Sequence, residues 1–432
     1  MKLVHFADLH IGVENYSRPD PETGLPSRLL DFLAAFDELV EYALNERADL
    51  VVFAGDAYKT REPSQTHQRE FARRVHRLAS SGIPVYLLIG NHDLPNAAAR
   101  ANALEIFRTL QVENVYLGSR IGTTRVQTRG GPVQIVGVPW PSRSTLLTKE
   151  EHRALSIDEV DRKIEEILGE TIRDEAEALD PAIPAILTAH IAMHGSKVKT
   201  GSEDWMTVGR FPALQPSVLD AECFDYVALG HHHIQQQVGS RPPMYYAGSM
   251  QRVDFGEEHD DKGFMVATLD PALPVGQRVT DVEFRRVHAR RFVTVEVTVR
   301  GEDATGEVIE AIRRTDVRNA IVRVLIALTP QQNAALRDND LRDALAGAHF
   351  VATVTKNLLQ ERRRRVFDES APERMAPLDA LRRYFESNDR APDYREQLLA
   401  HARAIVDGEP APDDAPRTAA EPAEPLDAAD ST

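Results

Sequence analysis

Residues 85–93 read VYLLIGNHD, and this stretch decides the fold because a short apolar run ends in a turn of Gly, Asn, His and Asp. The same pattern recurs at KLVHFAD (2–8), DLVVFAGD (49–56), AILTAHI (185–191) and YVALGHHH (226–233). Short apolar runs of this kind are typical of buried strands. Apolar strands whose carboxyl ends all carry polar residues predict an α/β sheet with its functional site along that edge.

Between the first two strands, LLDFLAAFDELVEYALNERA (29–48) predicts a helix, because its apolar residues recur at helical spacing. The predicted buried stripe consists of Leu29, Phe32, Leu33, Phe36, Leu39, Val40 and Ala43. No long helical segment separates VQIVGVPW (133–140) from its neighbouring strands. We therefore expect part of the sheet to be antiparallel or mixed, within an α/β (α+β) fold.

The bulk properties indicate a soluble protein of two or three folded units, since 432 residues exceed the usual ~100–200 per domain. A hydrophobic fraction of 42% and a charged fraction of 27% fit a globular chain. No apolar run approaches the ~20 residues that a membrane span needs, and MKLVHFADLHIG lacks the pattern of a cleavable signal. The single cysteine, Cys223, excludes an internal disulfide. Together these features predict a cytoplasmic protein.

Polar motifs end five of the predicted strands, and their residue types suit metal ions. The motifs are Asp8-Leu9-His10, Gly55-Asp56, Gly90-Asn91-His92-Asp93, Ala189-His190 and Gly230-His231-His232-His233. Asp, Asn and His together favour borderline divalent metals such as manganese, zinc or iron. None of the five motifs contains a cysteine, which argues against a structural zinc site. Two ions ~3.5–4 Å apart can hold the attacking and leaving oxygens of an in-line displacement at phosphorus, so the set predicts a two-metal phosphoesterase.

Each motif is a weak signal by itself. A single DxH is usually a solvated loop, and a buried histidine such as His190 is more often a hydrogen-bonded core residue than a ligand. The ordered set of five, each after an apolar strand, supports the prediction. Gly55, Gly90 and Gly230 precede site residues, and we expect them to let the backbone turn tightly at the strand ends.

The five motifs, in this order, resemble the calcineurin-like metallophosphoesterase superfamily, whose pattern is DxH, GD, GNH[DE], H and GHxH. Within it, the chain resembles the nuclease subunit of the bacterial SbcC–SbcD complex and its archaeal and eukaryotic double-strand-break-repair counterparts. The segments that carry this closer resemblance are HFADLHIG (5–12), AGDAYKTREPS (54–64), VALGHHHIQQQV (227–238) and YYAGSMQRVDFGEE (245–258). The resemblance covers roughly residues 1–265 and implies a four-layer αββα metallophosphoesterase sandwich, with residues 1–270 as the nuclease domain.

The resemblance also implies two metal sites that share Asp56. One ion is expected at Asp8, His10, Asp56 and His233, and the other at Asp56, Asn91, His190 and His231. The implied ions are divalent, with Mn²⁺ expected. His92 is expected outside the ligand set, facing the scissile phosphate, where it stabilises the transition state or protonates the leaving oxygen.

The roles of two further residues, Asp93 and Lys59, stay open. Asp93 either orients His92 through a hydrogen bond or forms the turn at the strand end. Many members of the resembled family carry a second active-site histidine three residues after the bridging Asp, and this chain has Lys59 there. Its amine either contacts a phosphate oxygen or is solvated, so the cleavage mode stays open.

Other candidate residues have ordinary interpretations beside functional ones. His5 is expected in the core, and strand alternation should turn His232 away from the metals. A surface role is the expectation for His194, although it can also line the groove. Trp205, in KVKTGSEDWMTVGRF (197–211), belongs to an exposed loop or to a DNA-facing loop with an aromatic platform.

The region after residue 285 predicts further units. Residues 285–355 alternate strand, helix, strand, helix, strand and resemble the family's small α+β capping domain. Residues 356–406 contain two amphipathic stretches, NLLQERRRRVF (357–367) and 377–406, which resemble the family's helical ATPase-binding region. The arginine run 362–365 is either a solvated helix face or a contact for DNA phosphates or an acidic partner. The tail, 407–432, is rich in Pro, Ala, Asp and Glu, and disorder is expected.

The net charge of −16 argues against a stand-alone, sequence-independent DNA binder. Of this charge, −7 lies in residues 407–432, and part of the rest belongs to the candidate metal ligands. An acidic chain of this kind fits a nuclease that gains DNA affinity from a partner.

The resemblance implies a manganese-dependent DNA exonuclease and endonuclease subunit acting on duplex ends and hairpins. Its implied partners are an SbcC-like ABC ATPase with a long coiled coil and a second copy of the chain. Two alternatives stay open. One is a small-molecule phosphodiesterase or protein phosphatase on the same fold, and the other is a non-catalytic DNA-end tether.

Overall fold

The computed structural model describes residues 1–95, 100–141, 155–198, 213–219, 222–359, 378, 381–382 and 392–407. The chain divides into two compact units, which are described separately. Residues 1–328 and 332–357 form the first, and residues 329–331 and 358–432 belong to the second.

The first unit contains two six-stranded mixed sheets. The first sheet has the order β14-β13-β1-β2-β3-β4. Strands β1 to β4 run parallel, β13 pairs antiparallel with β1, and β14 pairs antiparallel with β13. Its strands are β1 (Lys2–Phe6), β2 (Leu50–Phe53), β3 (Val85–Leu88), β4 (Val115–Gly118), β13 (Gly263–Leu269) and β14 (Val279–Arg286).

The second sheet has the order β11-β12-β10-β7-β6-β5. Its four inner strands run parallel, and both edge strands are antiparallel to their neighbours. Its strands are β5 (Gly122–Thr128), β6 (Gly131–Val138), β7 (Ala185–His190), β10 (Tyr226–Gly230), β11 (Gln236–Ser240) and β12 (Pro243–Tyr246). A short pair, β8 (Ala192–Met193) and β9 (Ala213–Leu214), lies outside both sheets. The mixed character predicted for the sheet is therefore confirmed. Its premise was wrong for the strand after β6, because a 21-residue helix, Ile157–Glu177, separates β6 from β7 and the two strands pair parallel. The antiparallel neighbour of β6 is β5.

Helices cover the outer face of each sheet. Helices α1 (Ser27–Asn45), α2 (Gln65–Ser80) and the short α3 (Glu105–Thr109) pack on the first sheet, and α4 (Ile157–Glu177) packs on the second. The predicted stripe of α1 is buried in full, since each of its seven side chains is at most 4% exposed. This confirms the prediction and gives the layer order αββα.

The two sheets pack face to face, so their inner strands are buried on both sides and read as continuous apolar runs. Along β1, Val4 and Phe6 pack towards the helices, whereas Leu3 joins the layer between the sheets. Tyr226 of β10 contributes to the same inner layer from the second sheet. Alternation along each strand thus fixes which side chains face the helices and which face the other sheet.

A third, three-stranded sheet follows in the order β15-β16-β17, with β15 and β16 parallel. Its elements are β15 (Phe292–Thr298), α5 (Ala304–Arg314), β16 (Ile321–Leu328), α6 (Pro330–Ala335), α7 (Asp338–Ala344) and β17 (Phe350–Leu358). The predicted strand–helix–strand–helix–strand alternation is confirmed, with α6 as an additional short helix. Residues 1–328 and 332–357 form one compact unit, so the division into a nuclease domain and a capping domain stays a prediction.

The C-terminal predictions are only partly covered by the described residues. Strand β17 continues to Leu358, so the helix predicted to begin at Asn357 is wrong at its first two residues, because the strand continues through them. Helix α8 (Pro392–Asp407) covers the second half of the predicted helical stretch. The arginine run 362–365, the Trp205 loop and residues 408–432 lie outside the described part. None of the described helices has the length and apolar character to cross a membrane.

Candidate metal centre

The five polar motifs follow β1, β2, β3, β7 and β10, and their side chains meet at the carboxyl ends of both sheets. The backbone there is unusual, because Asp8, His10, Asp56 and His231 have positive φ angles of 50°, 46°, 64° and 105°. Positive φ is uncommon for residues other than glycine, and such backbone strain concentrates at functional sites. It turns each side chain away from the strand direction and towards one point.

Asp8, His10 and His233 form one group of potential ligands, with donor atoms within 4.8 Å of one another. The Nε2 atoms of His10 and His233 lie 3.0 Å apart. The backbone N–H of His231 donates to both carboxylate oxygens of Asp8 at 3.0 Å, which fixes this carboxylate. All four residues are buried.

Asp56 lies between two sets of histidines. Its Oδ2 is 3.3 Å from Nε2 of His190 and 3.8 Å from Nε2 of His10. Its Oδ1 accepts the backbone N–H of His92 at 2.8 Å. Burial alone would raise the pKa of Asp56, but the His190, His92 and His10 imidazoles hold it well below its usual range. Asp56 is therefore an ionised carboxylate in an enclosed site.

Asn91 brings a third group together. Its Oδ1 lies 3.0 Å from Nε2 of His190 and 3.2 Å from Nδ1 of His231. His190 Nδ1 lies 2.7 Å from the carbonyl oxygen of Ala54, which accepts its proton. Burial lowers the pKa of His190, but the adjacent Asp56 carboxylate outweighs burial and raises it to about 9.

His92 sits at the rim of the centre, half-buried, with its ring centroid 4.8 Å from that of His10. Its Nδ1 donates to the carbonyl oxygen of Lys59 at 2.8 Å, which leaves Nε2 without that proton in the neutral ring. His10, Asp56 and His92 also have donor atoms within 4.8 Å of one another. Geometry alone thus admits His92 as a ligand, and its place outside the ligand set stays a prediction.

Two roles were considered for Asp93, and its contacts support the one in which it forms the turn at the strand end. Its carboxylate accepts the backbone N–H groups of Asp56, Ala57 and Gly90 at 2.9, 3.0 and 3.0 Å. The His92 ring instead bonds the Lys59 carbonyl, so orientation of His92 by Asp93 is wrong. Burial and the nearby Asp56 carboxylate raise the pKa of Asp93 to about 7. Asp93 fastens the loop after β2 to the loop after β3.

Lys59 lies beside the centre and is half-buried. Burial lowers the pKa of its amine, whereas the carboxylates of Asp56, Asp254 and Glu257 act in the opposite direction. The amine is therefore close enough to these acids to sense their charge. Contact between this amine and a substrate phosphate stays a prediction.

The three glycines that precede site residues, Gly55, Gly90 and Gly230, have two different roles in the structure. Gly55 has a φ of +102°, and a Cβ there would lie 2.3 Å from Nδ1 of His190. Gly90 and Gly230 do not have positive φ, so neither uses the left-handed backbone open to glycine, although a turn follows Gly90 at residues 91–93. At Gly90 a Cβ would lie 2.1 Å from Oδ1 of Asp56, and at Gly230 it would lie 2.2 Å from the Ala54 carbonyl. These two glycines allow close approach of neighbouring groups.

Three residues of the site were not found from the sequence. Glu257 accepts the His233 Nδ1 proton at 2.7 Å, and Lys262 pairs with Glu257 at 2.8 Å. The Trp140 ring packs 4.8 Å from the His231 ring. Glu257 lies in the quoted segment 245–258, so its presence there was the available signal, but nothing in that segment shows which histidine it bonds.

The remaining histidines lie as follows. His5 is buried in the core, as predicted, with Nδ1 3.1 Å from the Tyr226 hydroxyl. His232 is buried with its ring 4.8 Å from that of Tyr246. His194 is exposed and, with Lys197, lines an open cleft of about 520 Å³. Both interpretations of His194 therefore remain.

The donor set fits divalent cations. It offers two carboxylates, one amide oxygen and imidazoles, and this mixture suits borderline metals. His190 and His233 each give Nδ1–H to a protein acceptor, so each Nε2, once free of its proton, carries a lone pair directed into the centre. Since the pKa of His190 is about 9 without a metal, a bound cation would displace the proton from its Nε2. Buried carboxylates such as Asp8 and Asp56 require compensating positive charge. Two cations would supply it without protonating the ligands.

The sheets and this centre define a metallophosphoesterase, and comparison with known families agrees. The family "Calcineurin-like phosphoesterase" matches residues 1–235, which is more than half of the chain. The chain therefore belongs to the calcineurin-like phosphoesterase family.

One characterised relative is the DNA double-strand break repair protein Mre11 of Haloferax volcanii, 27% identical over 324 residues. The match covers 75% of this chain and 60% of that protein, so the chain spans about 60% of the relative's length.

Two solved structures have weaker likeness. The protein TT1561 of Thermus thermophilus has a TM-score of 0.34 and 14% identity, over 66% of this chain and 98% of that one. A dimetal phosphatase from Danio rerio has a TM-score of 0.32 and 11% identity, over 62% and 92%. TM-scores of this size do not bear on the site.

Proposed function

We propose that this chain is a DNA nuclease that hydrolyses phosphodiesters with two divalent ions, with Mn²⁺ the preferred metal. The observation that carries the proposal is the position of Asp56. Its single buried carboxylate lies within 3.8 Å of imidazole nitrogens from both His10 and His190. These histidines belong to the two predicted ligand sets, and this supports a role for one carboxylate as a ligand of both ions.

In this proposal each ion has four protein ligands. Asp8, His10, Asp56 and His233 hold one ion, and Asp56, Asn91, His190 and His231 hold the other. The contacts within each set support the assignment, since His10 and His233 face each other at 3.0 Å and Asn91 Oδ1 lies within 3.2 Å of both His190 and His231. Asp93 acts indirectly, by fastening the loops that carry Asp56 and Asn91.

When bound, two divalent ions neutralise charge that develops on the phosphoryl group and activate the attacking water. The chain's own residues then orient the substrate and move protons. His92 keeps its Nδ1 proton on the Lys59 carbonyl, so Nε2 faces the substrate. There it stabilises the transition state or, when protonated, donates to the leaving oxygen. The Lys59 amine contacts a phosphate oxygen.

DNA as the substrate is supported by the sequence segments quoted above and by the relative, whose name describes double-strand break repair. We extend the proposal to exonuclease and endonuclease cleavage at duplex ends and hairpins, in end processing in the cytoplasm. The partners proposed are an SbcC-like ABC ATPase, bound through residues 356–406, and a second copy of the chain. Residues 285–355 act as the capping domain.

The test is a nuclease assay on end-labelled linear duplex and hairpin DNA, with Mn²⁺ or Mg²⁺, with and without the ATPase. A chromogenic phosphodiester is assayed in parallel. We expect Mn²⁺-dependent cleavage of DNA that disappears when a chelator is added. The two labelled ends report strand polarity.

The alternatives give different results in the same assay. Hydrolysis of the chromogenic ester without cleavage of DNA would favour a small-molecule phosphodiesterase or phosphatase. DNA binding without hydrolysis of either substrate would favour an end tether. Either result would overturn the proposed nuclease.

A further inference from the structure

The turn formed by residues 254–258 contacts both the candidate metal centre and the three-stranded sheet. It contains a short 3-10 helix, Phe255–Glu257, which Asp254 caps by accepting the Gly256 N–H at 2.7 Å. Consecutive residues of this turn point in different directions. Their contacts join two parts of the first compact unit that are far apart in sequence.

Towards the metal centre, Glu257 accepts the Nδ1 proton of His233 at 2.7 Å. Its second oxygen pairs with Lys262 at 2.8 Å and accepts the Val253 N–H at 3.0 Å. Lys262 also donates to the His233 carbonyl at 3.2 Å. Glu257 is 1% exposed and Lys262 2%, so this pair is enclosed and its geometry is fixed by packing. A carboxylate that holds the far nitrogen of a ligand histidine sets the orientation of its ring.

Towards the three-stranded sheet, Glu258 accepts from Thr294 of β15. One carboxylate oxygen accepts the Thr294 N–H at 2.7 Å, and the other accepts its hydroxyl. Phe255 packs edge-on against Phe292 of β15, with ring centroids 4.9 Å apart. The Arg323 guanidinium of β16 lies 4.5 Å over the Phe255 ring. Phe255 and Glu258, which flank the Gly256–Glu257 pair, are thus both held by the three-stranded sheet.

Arg252 strengthens the same connection from the backbone side. Its guanidinium donates to the carbonyls of Glu257 and Glu258 at 3.2 Å and to that of Asp260 at 2.7 Å. It also donates to the carbonyl of Arg290, just before β15, at 3.1 Å. One side chain therefore ties the 254–258 turn to the segment that enters the three-stranded sheet.

We propose that Glu257 is a positioning residue for His233, and that Glu258 fixes the same turn to the three-stranded sheet, so that metal affinity depends on where that sheet is held. The metal role of His233 rests on the proposed function. The inference goes beyond that function in one respect. The contact between Glu258 and Thr294 lies outside the ligand set, and it changes the affinity of the centre for divalent ions. A partner or substrate that moves the three-stranded sheet would act on the ions through this turn.

The first experiment isolates the bond from Glu257 to His233. Removing Glu257 alone would leave the buried Lys262 charge with only Asp260, 3.9 Å away, as a carboxylate partner, so two double variants are compared. Glu257→Gln/Lys262→Met keeps a side-chain oxygen for His233, and Glu257→Leu/Lys262→Met removes it. Calorimetric titration with Mn²⁺ should show ~10–100-fold weaker binding in the Leu/Met variant than in the Gln/Met variant. Urea unfolding checks that the two are similarly stable, and equal Mn²⁺ affinities would overturn the positioning role.

The second experiment tests the connection between the 254–258 turn and the three-stranded sheet. Glu258→Ala should weaken Mn²⁺ binding at least ~3-fold, less than removal of a group that bonds a ligand directly. Glu258→Gln, which still accepts the Thr294 N–H, should restore most of the affinity. The matched control is Ser27→Ala, which removes a 2.9 Å bond to His349 at the same junction but not through the turn. It should leave the Mn²⁺ affinity unchanged.

The outcomes separate the two proposals. If wild-type chain binds Mn²⁺ and Glu258→Ala binds it equally well, the connection is overturned and the proposed function is untouched. If affinity responds as expected but DNA is not cleaved, the connection stands and the nuclease proposal fails. A wild-type chain that bound no divalent ion would overturn both. A loss in Ser27→Ala equal to that in Glu258→Ala would show a general loosening of the junction and would overturn the inference.

Discussion

The Nδ1 atom of His190 lies 2.7 Å from the carbonyl oxygen of Ala54, so a strand end of the second sheet is bonded to a strand end of the first. The carbonyl can only accept, so Nδ1 carries the proton and Nε2 faces Asn91 Oδ1 at 3.0 Å. Gly55 follows Ala54 directly, and its lack of a side chain leaves room for the His190 ring. The close approach of the His190 ring to the Ala54 carbonyl therefore depends on a residue without a Cβ at position 55.

Gly55→Ala should damage both stability and the centre. A Cβ at this position would lie 2.3 Å from Nδ1 of His190, and the residue has a φ of +102°. Left-handed backbone costs roughly 1–2 kcal/mol in a residue with a Cβ, and overpacking adds about 1–3 kcal/mol. We expect the free energy of unfolding to fall by the sum of these terms and Mn²⁺ binding to weaken, as measured by urea unfolding and calorimetry.

Gly131→Ala is the matched control for that change. Gly131 has a φ of +110°, but a Cβ there would meet nothing within 4 Å. It should show only the backbone term of roughly 1–2 kcal/mol and unchanged metal binding. Equal losses in the two variants would mean that contact with His190 is unimportant.

Asp56→Asn should leave a folded protein with less bound metal and no nuclease activity. The substitution keeps the shape of the side chain but removes the charge that lies between His10 and His190. Metal content by elemental analysis and cleavage of labelled duplex DNA are the measurements. Asp281→Asn makes the same chemical change on an exposed position of β14 and should behave as wild type. Near-normal cleavage by Asp56→Asn would refute the two-metal interpretation.

His92→Gln should separate metal binding from cleavage. If His92 lies outside the ligand set, both ions are retained while the rate falls by ~10²–10⁴-fold, the usual contribution of a general acid or base. Because the His92 donor atom lies within 4.8 Å of those of His10 and Asp56, loss of metal together with activity would identify it as a ligand instead. His288→Gln, at a 96% exposed side chain, is the control and should change neither.

Much of the fold was readable from the sequence because its signals are local. Short apolar runs, the stripe of α1 and the polar motifs at strand ends each depend on neighbouring residues. Parallel strands bring their carboxyl ends to one edge, so the meeting of Asp8 and Asp56 followed from their positions after β1 and β2. His190 ends β7 of the second sheet, so its place beside them depends on how the two sheets pack.

The features of the site that could not be predicted from the sequence depend on contacts between segments that are distant in the chain. Glu257 reaches His233 only because β13, which follows it, pairs antiparallel with β1 beside the centre. Asp93 was ambiguous for the same reason, since its three backbone partners include Asp56 and Ala57 on another loop. The requirement for glycine at Gly90 and Gly230 comes from groups on other strands, which the residues beside them do not indicate.

The last prediction concerns His5, which is buried between the sheets and away from solvent. Its Nδ1 lies 3.1 Å from the Tyr226 hydroxyl and its Nε2 lies 3.2 Å from the Leu229 carbonyl, a pattern that the neutral ring satisfies. Burial lowers the pKa of His5 from 6.5 to about 3, although the Leu229 carbonyl opposes the shift. Between these two values the unfolded chain takes up a proton that the folded chain excludes.

The folded-state pKa of His5 is below its unfolded value, so its contribution to stability is fully present above pH 6.5 and is lost as the pH falls towards 3. Between pH 7 and pH 5 this linkage amounts to about 2 kcal/mol. Urea unfolding of metal-free protein should therefore show a loss over that interval about 2 kcal/mol larger for wild type than for His5→Gln. All other ionisable groups are the same in the two proteins, so the difference isolates His5. If His5→Gln and wild type lost stability in parallel, His5 would be protonated in the folded chain and the neutral hydrogen-bond pattern would be wrong.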